Sequence, residues 1–323
     1  MARSSYGCGP LAVRLEAPDA PLGTRLRDAL ALYDVAWDGP GHRVELVAEV
    51  GAPATLPAAG RFLTLARMTV DATATGLRAT TVSGAWAEGC FDDGGEHWFL
   101  SAPAELCGTD LGEAEHLLTL VLTTGWRRSG WVPLHSGAVT DGGRCALVCA
   151  SSGGGKSTFT AALVRRGWRT LGDDKLLLRL VGAEPEVAAV LHTFNLHPRS
   201  TEWWPELGDL WRLPVYSTWT DKRRVPASAI RADGVATVAT PTDLLLLEPH
   251  AEAIETRIEP LAREAVLSCL LHQTVVPDDR DLARHIMGTV ARVARRLRGW
   301  RVHIGRDAFQ DPESLAPVEA TLR

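Results

Sequence analysis

"LVCASSGGGKST", residues 147–158, runs from apolar residues through a cluster of glycines into a segment with helical character. Residues 150–157 fit the pattern G-x-x-x-x-G-K-[ST], with alanine at the first position. Three consecutive glycines permit positive φ values and a close approach of backbone N–H groups to a bound phosphate chain. The pattern therefore predicts a phosphate-binding loop between a strand and a helix. A glycine-rich surface loop beside a chance lysine is the alternative.

This loop hypothesis assigns roles to individual side chains. Lys156 would reach the β and γ phosphates as a point charge, and the Ser157 hydroxyl would ligate Mg²⁺. The following helix would add the positive end of its dipole. ATP and Mg²⁺ are therefore the predicted cofactors. The residues predicted to bind them are Ser151, Ser152, Gly153, Gly154, Gly155, Lys156, Ser157 and Thr158.

Two adjacent carboxylates follow the predicted loop. Seventeen residues after Lys156, the segment "LGDDKLLL" places Asp173 and Asp174 at the start of an apolar strand. Consecutive strand residues point to opposite faces, so the two side chains can serve different purposes. One can complete the Mg²⁺ shell and the other can accept a proton from an attacking hydroxyl. The alternative is a solvated turn, because Gly-Asp-Asp is common in turns.

A histidine precedes the strand that enters the loop. His135, in "VPLHSGAV", lies at the end of one predicted strand, just before the strand that leads into the glycine loop. If the two strands are neighbours, the imidazole lies near the carboxylates and the γ-phosphate. It would then tune the proton affinity of an aspartate or hold the transferring group. A hydrogen-bonded core histidine is the alternative.

The wider pattern predicts two domains. From residue 131, strand and helix segments follow in the order β, β, α, β, β, namely "VPLHSGAVT", "RCALVCA", "KSTFTAALVRRG", "WRTLGDD" and "KLLLRLV". This order is typical of an α/β nucleotide-binding sheet. Late helices are predicted at 260–272 and 279–298. Residues 1–125 are predicted to form a smaller, strand-rich α+β domain, and residues 126–323 the α/β domain. The smaller domain contains a helix at 22–33 and ends with a helix at 111–126, capped by Thr109 or Asp110. Its alternating segments at 42–50, 77–89 and 96–102 are predicted as strands.

His135, the glycine loop, a helix ending in "RRG" and the Asp-Asp pair, in this order, resemble the catalytic domain of the bacterial HPr kinase/phosphorylase family over residues 131–180. The resemblance implies an ATP domain of the phosphoenolpyruvate-carboxykinase type and phosphoryl transfer from ATP to a hydroxyl, usually of serine. It also implies that Asp173 is the base and Asp174 the metal partner. The family's glycine-rich signature and N-terminal domain have no clear counterpart in this chain. The layout is closer to shorter HPr-kinase-related proteins of peptide natural-product clusters, including lasso peptide clusters, some of which phosphorylate a precursor-peptide serine.

Three further segments carry basic or aromatic residues. In "YSTWTDKRRVPASAI" (216–230), Lys222 and Arg223 are predicted to contact phosphates or an acidic acceptor, with a solvated turn as the alternative. In "HTFNLHPRSTEWWPELGDLW" (192–211), packing is preferred over a nucleobase shelf or an acceptor groove for the tryptophans. In "ARVARRLRGWR" (291–301), five arginines are predicted to form a solvated helix end, with docking of an acidic peptide as the alternative.

Composition limits the class of partner. A chain of 323 residues with a net charge of −5 has no overall attraction for nucleic acid or an anionic membrane. Six scattered cysteines without CxxC spacing indicate reduced thiols, and we expect a cytoplasmic protein.

The predicted function is that of an ATP-dependent kinase acting on a peptide, protein or small-molecule hydroxyl. A nucleotide-binding regulator without phosphoryl transfer is the second hypothesis. A simple ATPase ranks last, because no second acidic apolar strand is evident. Homo-oligomerisation stays open.

Overall fold

A computed structural model describes residues 1–33, 35–39, 41–54, 61–65, 68–107, 112–217, 220–249 and 255–322. The chain divides into two compact units. The first is Met1–Trp131 with Val276–Arg284, and the second is Val132–Val275 with His285–Arg323. The predicted division after residue 125 falls inside a helix that ends at Arg128. Trp131 also packs edge-on against Trp37 of the first unit, with ring centroids 5.5 Å apart. The predicted cap residues, Thr109 and Asp110, lie outside the described residues.

The first unit contains one eight-stranded sheet. Its elements are β1 (Ala2–Cys8), β2 (Leu11–Ala17), α1 (Pro21–Leu32), β3 (His42–Val50), β4 (Arg61–Leu65), β5 (Met68–Ala72), β6 (Gly76–Thr81), β7 (Trp86–Asp92), β8 (Gly95–Ala102) and α2 (Gly112–Arg128), with a 3₁₀ turn at Ala104–Cys107. The strand order is β1-β2-β3-β8-β7-β6-β5-β4, and only the β2–β3 and β3–β8 pairs are parallel. Helices α1 and α2 both pack against β2 and β3.

The sequence predicted several of these elements. The helix predicted at 22–33 and the strands predicted at 42–50 and 96–102 are confirmed. The segment 77–89 was predicted as one strand, but it forms parts of two strands. The chain turns at Gly84, which has φ +86 and adopts the left-handed conformation that favours glycine.

The second unit contains thirteen strands in its described part. They are β9 (Val132–Leu134), β10 (Gly137–Thr140), β11 (Cys145–Ala150), β12 (Arg169–Gly172), β13 (Leu176–Val181), β14 (Glu184–Ala189), β15 (Thr193–Leu196), β16 (Val215–Ser217), β17 (Thr220–Pro226), β18 (Val238–Ala239), β19 (Asp243–Pro249), β20 (Arg257–Pro260) and β21 (Arg298–Ile304). The helices are α3 (Lys156–Arg165), α4 (Ala227–Ile230), α5 (Arg263–His272), α6 (Arg280–Ala294), which begins in the last residues of the first unit, and α7 (Ala316–Leu322). Short 3₁₀ helices cover Pro198–Glu202, Pro205–Leu207, Leu210–Arg212, Arg306–Phe309 and Pro312–Leu315.

Three sheets organise this unit, so the fold is mixed α/β. A six-stranded sheet has the order β12-β10-β11-β19-β21-β20, a four-stranded sheet β18-β14-β13-β9, and a three-stranded sheet β15-β17-β16. Strands β11, β19 and β21 run parallel. Phe159 of α3, Leu245 of β19 and Val302 of β21 belong to one fully buried core. Because β11, β19 and β21 run in the same direction, all three end at the edge of the sheet where β11 leads into the glycine loop.

The arginine-rich segment 291–301 differs from its prediction. Helix α6 ends at Ala294, and Arg298–Ile304 forms β21, which lies between β19 and β20. A Cβ atom at Gly299 would lie 2.3 Å from Val266 Cγ2, so this strand packs closely against α5. The prediction of a helix extending to 298 was wrong because pairing with two distant strands overrides the local pattern.

Arg298 is exposed, but it forms hydrogen bonds with a buried carboxylate. It donates two hydrogen bonds, of 2.8 and 3.0 Å, to the fully buried carboxylate of Asp243. Trp300 Nε1 and the Thr242 hydroxyl donate to the same carboxylate, at 2.8 and 2.7 Å. The arginine predicted to be solvated therefore joins β21 to β19.

Asp243→Ala is expected to destabilise the second unit by about 2–3 kcal/mol, because it leaves three donors without their acceptor. Urea-induced unfolding followed by circular dichroism measures this change. Glu184→Ala removes an exposed partner of Arg296 and serves as the control, with an expected change below about 1 kcal/mol. Equal effects of the two substitutions would contradict this role for Asp243.

The cysteines fit their prediction. All six are free thiols, and Cys145 and Cys149 are buried in β11. Across the described ranges, none of the helices combines the length and apolar character needed to span a bilayer.

Candidate functional site

The glycine loop connects β11 to α3. Gly153 and Gly155 have φ values of +78 and +81, in the left-handed region, and Gly155 directly precedes the first residue of the helix. A Cβ atom at Gly154 would lie 3.0 Å from both Ala150 Cβ and the Ser151 carbonyl oxygen. Gly153 and Gly155 are therefore favoured by their backbone conformation, and Gly154 by the lack of room for a side chain. The first N–H groups of α3 have no partner within the helix and lie at this loop.

Within its described part, the chain crosses three times between the four-stranded and six-stranded sheets, and the first two of these crossings form the site. The first crossing is at residues 135–136, between β9 and β10, and the second is at residues 173–175, between β12 and β13. Strand β9 pairs with β13 in one sheet, while β10 pairs with β12 in the other. The two crossings therefore lie side by side, and His135 Nε2 is 2.9 Å from Asp174 Oδ1.

This crossing revises two details of the sequence analysis. The segment predicted as one strand, "VPLHSGAVT", is interrupted at His135. The two aspartates lie in a connection between strands, not on a strand. The strand that ends before His135 is β9, which pairs with β13 and not with β11, while β10, after His135, pairs with β11. His135 nevertheless lies beside Asp174, because the chain changes sheets there.

The two aspartates have different environments. The side chain of Asp173 is almost fully buried, and its Oδ2 accepts a 3.1 Å hydrogen bond from the Asn195 backbone N–H. Burial and the neighbouring charge of Asp174 raise the pKa of Asp173 to about 6, against the opposing effects of Ser157, Asn195 and Lys156. Asp173 can therefore exchange a proton near neutral pH.

Asp174 is more accessible, and it stays ionised. Burial opposes its charge, but the hydrogen bond from His135 and the charges of Lys175, His135 and Lys156 outweigh burial and hold the pKa of Asp174 well below its usual range. Adjacent carboxylates with opposite shifts are suited to different roles in one reaction.

Lys156 lies between the loop and the carboxylates. Its Nζ is 3.4 Å from the His135 carbonyl oxygen. Burial lowers the pKa of Lys156, Lys222 lowers it further, and the charges of Asp174 and Asp173 oppose both effects. One ammonium thus interacts electrostatically with both aspartates and with Lys222 of β17.

Lys222 and Arg223, which were predicted to act together, lie on opposite faces of β17. Arg223 is buried, with its guanidinium 5.0 Å from the centroid of the Trp211 ring. Because side chains alternate along a strand, Lys222 and Arg224 share the opposite face. Arg224 is the register partner of Asn195, whose N–H binds Asp173. The structure therefore places Lys222 with the site and Arg223 against Trp211. Arg224 belongs to the same basic segment but was not assigned a contact, although its alternation with Lys222 was a usable signal.

The segment 192–211 serves mainly for packing. Trp204 is fully buried, and its Nε1 donates to the Phe309 carbonyl oxygen at 3.2 Å. Trp203 stacks on the Phe309 ring, with centroids 5.2 Å apart. His197 Nδ1 accepts from the Arg199 N–H and caps a 3₁₀ helix, and His192 Nε2 lies 3.1 Å from the Ala236 carbonyl oxygen. The packing interpretation is confirmed for Trp203 and Trp204, whereas the Trp211 side chain is exposed.

Two supporting residues had no signal in the sequence. Asn195 acts through its backbone N–H, which no side-chain pattern reveals. Ser136 is fully buried, and its hydroxyl donates to the Val148 carbonyl oxygen of β11 at 2.9 Å. This bond attaches the first crossing to the strand that enters the loop.

The comparisons with known proteins add little. No family model matches the chain, and no curated protein matches it. A solved structure of the HPr(Ser) kinase/phosphatase from Coxiella burnetii matches with 9% sequence identity and a TM-score of 0.32, covering 58% of this chain and 95% of that one. The family expectation therefore stays a prediction.

Proposed function

We propose that the protein is an ATP-dependent kinase that transfers the γ-phosphate to a hydroxyl, most favourably that of a serine in a peptide or protein. One observation carries the proposal. Two chain crossings bring Asp173, Asp174 and His135 together beside Lys156, at the start of the helix that follows the glycine loop. Phosphoryl transfer requires these groups: a phosphate cradle, a cation, a metal-binding carboxylate and a base.

The residues present fit a bound ATP·Mg²⁺. The loop and the first turn of α3, residues 151–158, would hold the phosphates, since its glycines leave the backbone open to close approach. Within the described residues, no group of three or more His, Cys, Asp and Glu side chains is placed to hold a metal ion. Mg²⁺ commonly needs only one or two protein ligands besides phosphate oxygens and water, and Ser157 and Asp174 would supply them. When bound, Mg²⁺ neutralises charge on the phosphates.

Asp173 is the proposed base. The Asn195 N–H fixes its Oδ2, and its raised pKa matches the task of accepting a hydroxyl proton. As the acceptor oxygen forms its bond to phosphorus, its proton passes to this carboxylate and ADP leaves. The chain thereby supplies positioning and charge compensation, which dominate catalysis in this reaction class.

His135 is proposed as a positioning residue. Its imidazole contacts Asp174 at 2.9 Å and keeps that carboxylate ionised. Lys222 and Arg224 would add positive charge opposite the phosphates or beside an acidic acceptor.

The ATPase alternative needs one correction. We expected no second apolar strand with an acidic end, but β19 is such a strand and lies parallel to β11. Its Glu248 follows Leu247, which is the register partner of Ala150. The Glu248 carboxylate, however, is 3.1 Å from Arg301 Nε. The preference for a kinase therefore rests on Asp173 and Asp174.

Titration of ATP into the protein with and without Mg²⁺, followed by calorimetry, tests the proposed site. We expect saturable binding of one ATP per chain that strengthens when Mg²⁺ is present. Absence of ATP binding in both conditions would contradict the proposal. Tight binding without phosphoryl transfer to any hydroxyl would instead support the regulatory hypothesis.

The separation of the basic residues on β17 gives a paired prediction. Lys222→Met is expected to lower the transfer rate about tenfold or more, because it removes a charge on the site face. Arg223→Met is expected to lower the free energy of unfolding and leave the transfer rate of the folded protein within about twofold. Initial rates and urea-induced unfolding measure both changes. A larger rate loss in Arg223→Met than in Lys222→Met would contradict the assignment.

A further inference from the structure

A second concave site lies wholly within the first unit. A groove of about 690 Å³ opens between the sheet and the C-terminal end of α2. Its apolar surface includes Phe62, Leu77 and Phe91, and its polar surface includes Arg127 and Arg128. This volume falls within the range of small-molecule sites, and a mixture of apolar surface with a few polar groups is typical of them.

Arg127 brings positive charge into the groove. Its side chain is only 8% exposed, and burial lowers its pKa to about 10, so it remains protonated at neutral pH. A buried guanidinium favours an anion nearby, because attraction between opposite charges strengthens where water is excluded.

Arg128 is held in place at the same groove. Its Nε lies 3.3 Å from the fully buried carboxylate of Glu96, and its guanidinium lies 4.6 Å from the centroid of the Phe91 ring. The Arg128 guanidinium also donates to the Asp92 carbonyl oxygen at 3.4 Å. These contacts leave the side chain little freedom to lose on binding a ligand.

The acidic residue in the groove wall has another task. Asp279 Oδ1 accepts the backbone N–H groups of Asp281 and Leu282, at 3.1 and 2.8 Å, and so caps the start of α6. The negative charge of Asp279 therefore interacts mainly with the backbone N–H groups at the start of α6.

We propose that this groove binds an organic carboxylate with an apolar body. The arginines would face the carboxylate, and the aromatic and leucine side chains would contact the rest of the ligand. Two sources share this chemistry: a free aryl or alkyl carboxylate, and a peptide segment in which acidic and apolar residues alternate. The proposal does not depend on phosphoryl transfer.

Two probes distinguish these sources. One is 3-phenylpropionate, titrated into the ¹⁵N-labelled full chain by NMR, with 3-phenylpropionamide as the neutral control. The other is a fluorescein-labelled peptide of alternating Leu and Asp, followed by fluorescence anisotropy, with the Leu/Asn peptide as its control. Binding of only one probe identifies the source. Equal binding of the charged and neutral versions, or no binding, would overturn the proposal.

Matched variants locate the bound ligand. Thr75 is exposed and lines the groove, so Thr75→Glu introduces a negative charge at its edge while Thr75→Gln does not. We expect Thr75→Glu to weaken binding of the active probe about tenfold or more, and Thr75→Gln to change it less than about twofold. Arg127→Met should weaken it similarly, whereas Arg14→Met, at an exposed arginine on β2, should not. If Arg127→Met fails to fold, the Thr75 pair decides. Equal affinities in Thr75→Glu and Thr75→Gln would contradict the proposed location.

Discussion

Asp173→Asn is expected to lower the rate of phosphoryl transfer about 10²–10⁴-fold, the usual contribution of a positioned general base. An amide of the same shape preserves contact with the Asn195 N–H but cannot take the hydroxyl proton at neutral pH. The substitution also removes a negative charge near the proposed phosphate site, so ATP affinity is expected to be kept or increased. Initial rates of ADP formation in the presence of acceptor, together with calorimetric titration of ATP, measure the two effects separately.

Asp233→Asn provides the control for that change. Asp233 pairs with Arg231 at the surface and takes no part in the proposed site. Its amide variant should transfer phosphate at the wild-type rate. If Asp173→Asn retained more than about a tenth of that rate, Asp173 would not be the base.

Lys156→Met is expected to weaken ATP binding about tenfold or more and to lower the transfer rate at saturating ATP about 10²-fold. The ammonium interacts with both aspartates in the folded protein, and it is the proposed point charge for the β and γ phosphates. Calorimetric titration gives the affinity, and rates at saturating ATP give the second quantity. Urea-induced unfolding shows whether the variant is folded.

Arg296→Met is the matched control for that substitution. Arg296 carries the same charge in the same unit, but it forms an exposed ion pair with Glu184. Its loss should change neither ATP affinity nor rate by more than about twofold. Comparable losses in both variants would show that general electrostatics, and not a phosphate contact by Lys156, accounts for the result.

Local signals made the loop and its flanking elements predictable. The glycine cluster, the strand before it and the helix after it depend on residues close together in the chain, so a short window contains the information. Asp173 and Asp174 were found through their spacing from Lys156. Their different environments were not predictable, because burial of one and the His135 contact of the other arise where two sheets meet.

Long-range pairing explains most of the errors. Strand β21 lies between β19 and β20, and its arginines hide the alternation of Trp300, Val302 and Ile304. Likewise, the sequence alone gave no means of telling which of Lys222 and Arg223 faces the site. Alternation shows that Lys222 and Arg224 share a face, but the pairing that brings Arg224 beside Asn195 is visible only in the folded chain.

The groove of the first unit was not predicted. Its lining residues come from four strands, the turn before β6, helix α2 and the segment Val276–Arg284. Six of them are consecutive, at residues 72–77, but the arginines and the aromatic residues come from distant parts of the chain and meet only when it folds.

Phosphoryl transfer itself is the central claim, and mass spectrometry of acceptor peptides tests it most directly. Wild-type protein and Asp173→Asn are incubated with ATP, Mg²⁺ and serine-containing peptides, including those encoded beside this gene. We predict that a peptide gains one phosphoryl group with the wild type and that the gain disappears with the variant. Equal phosphorylation by both proteins would contradict the account, as would ATP binding with no transfer to any peptide or small-molecule hydroxyl.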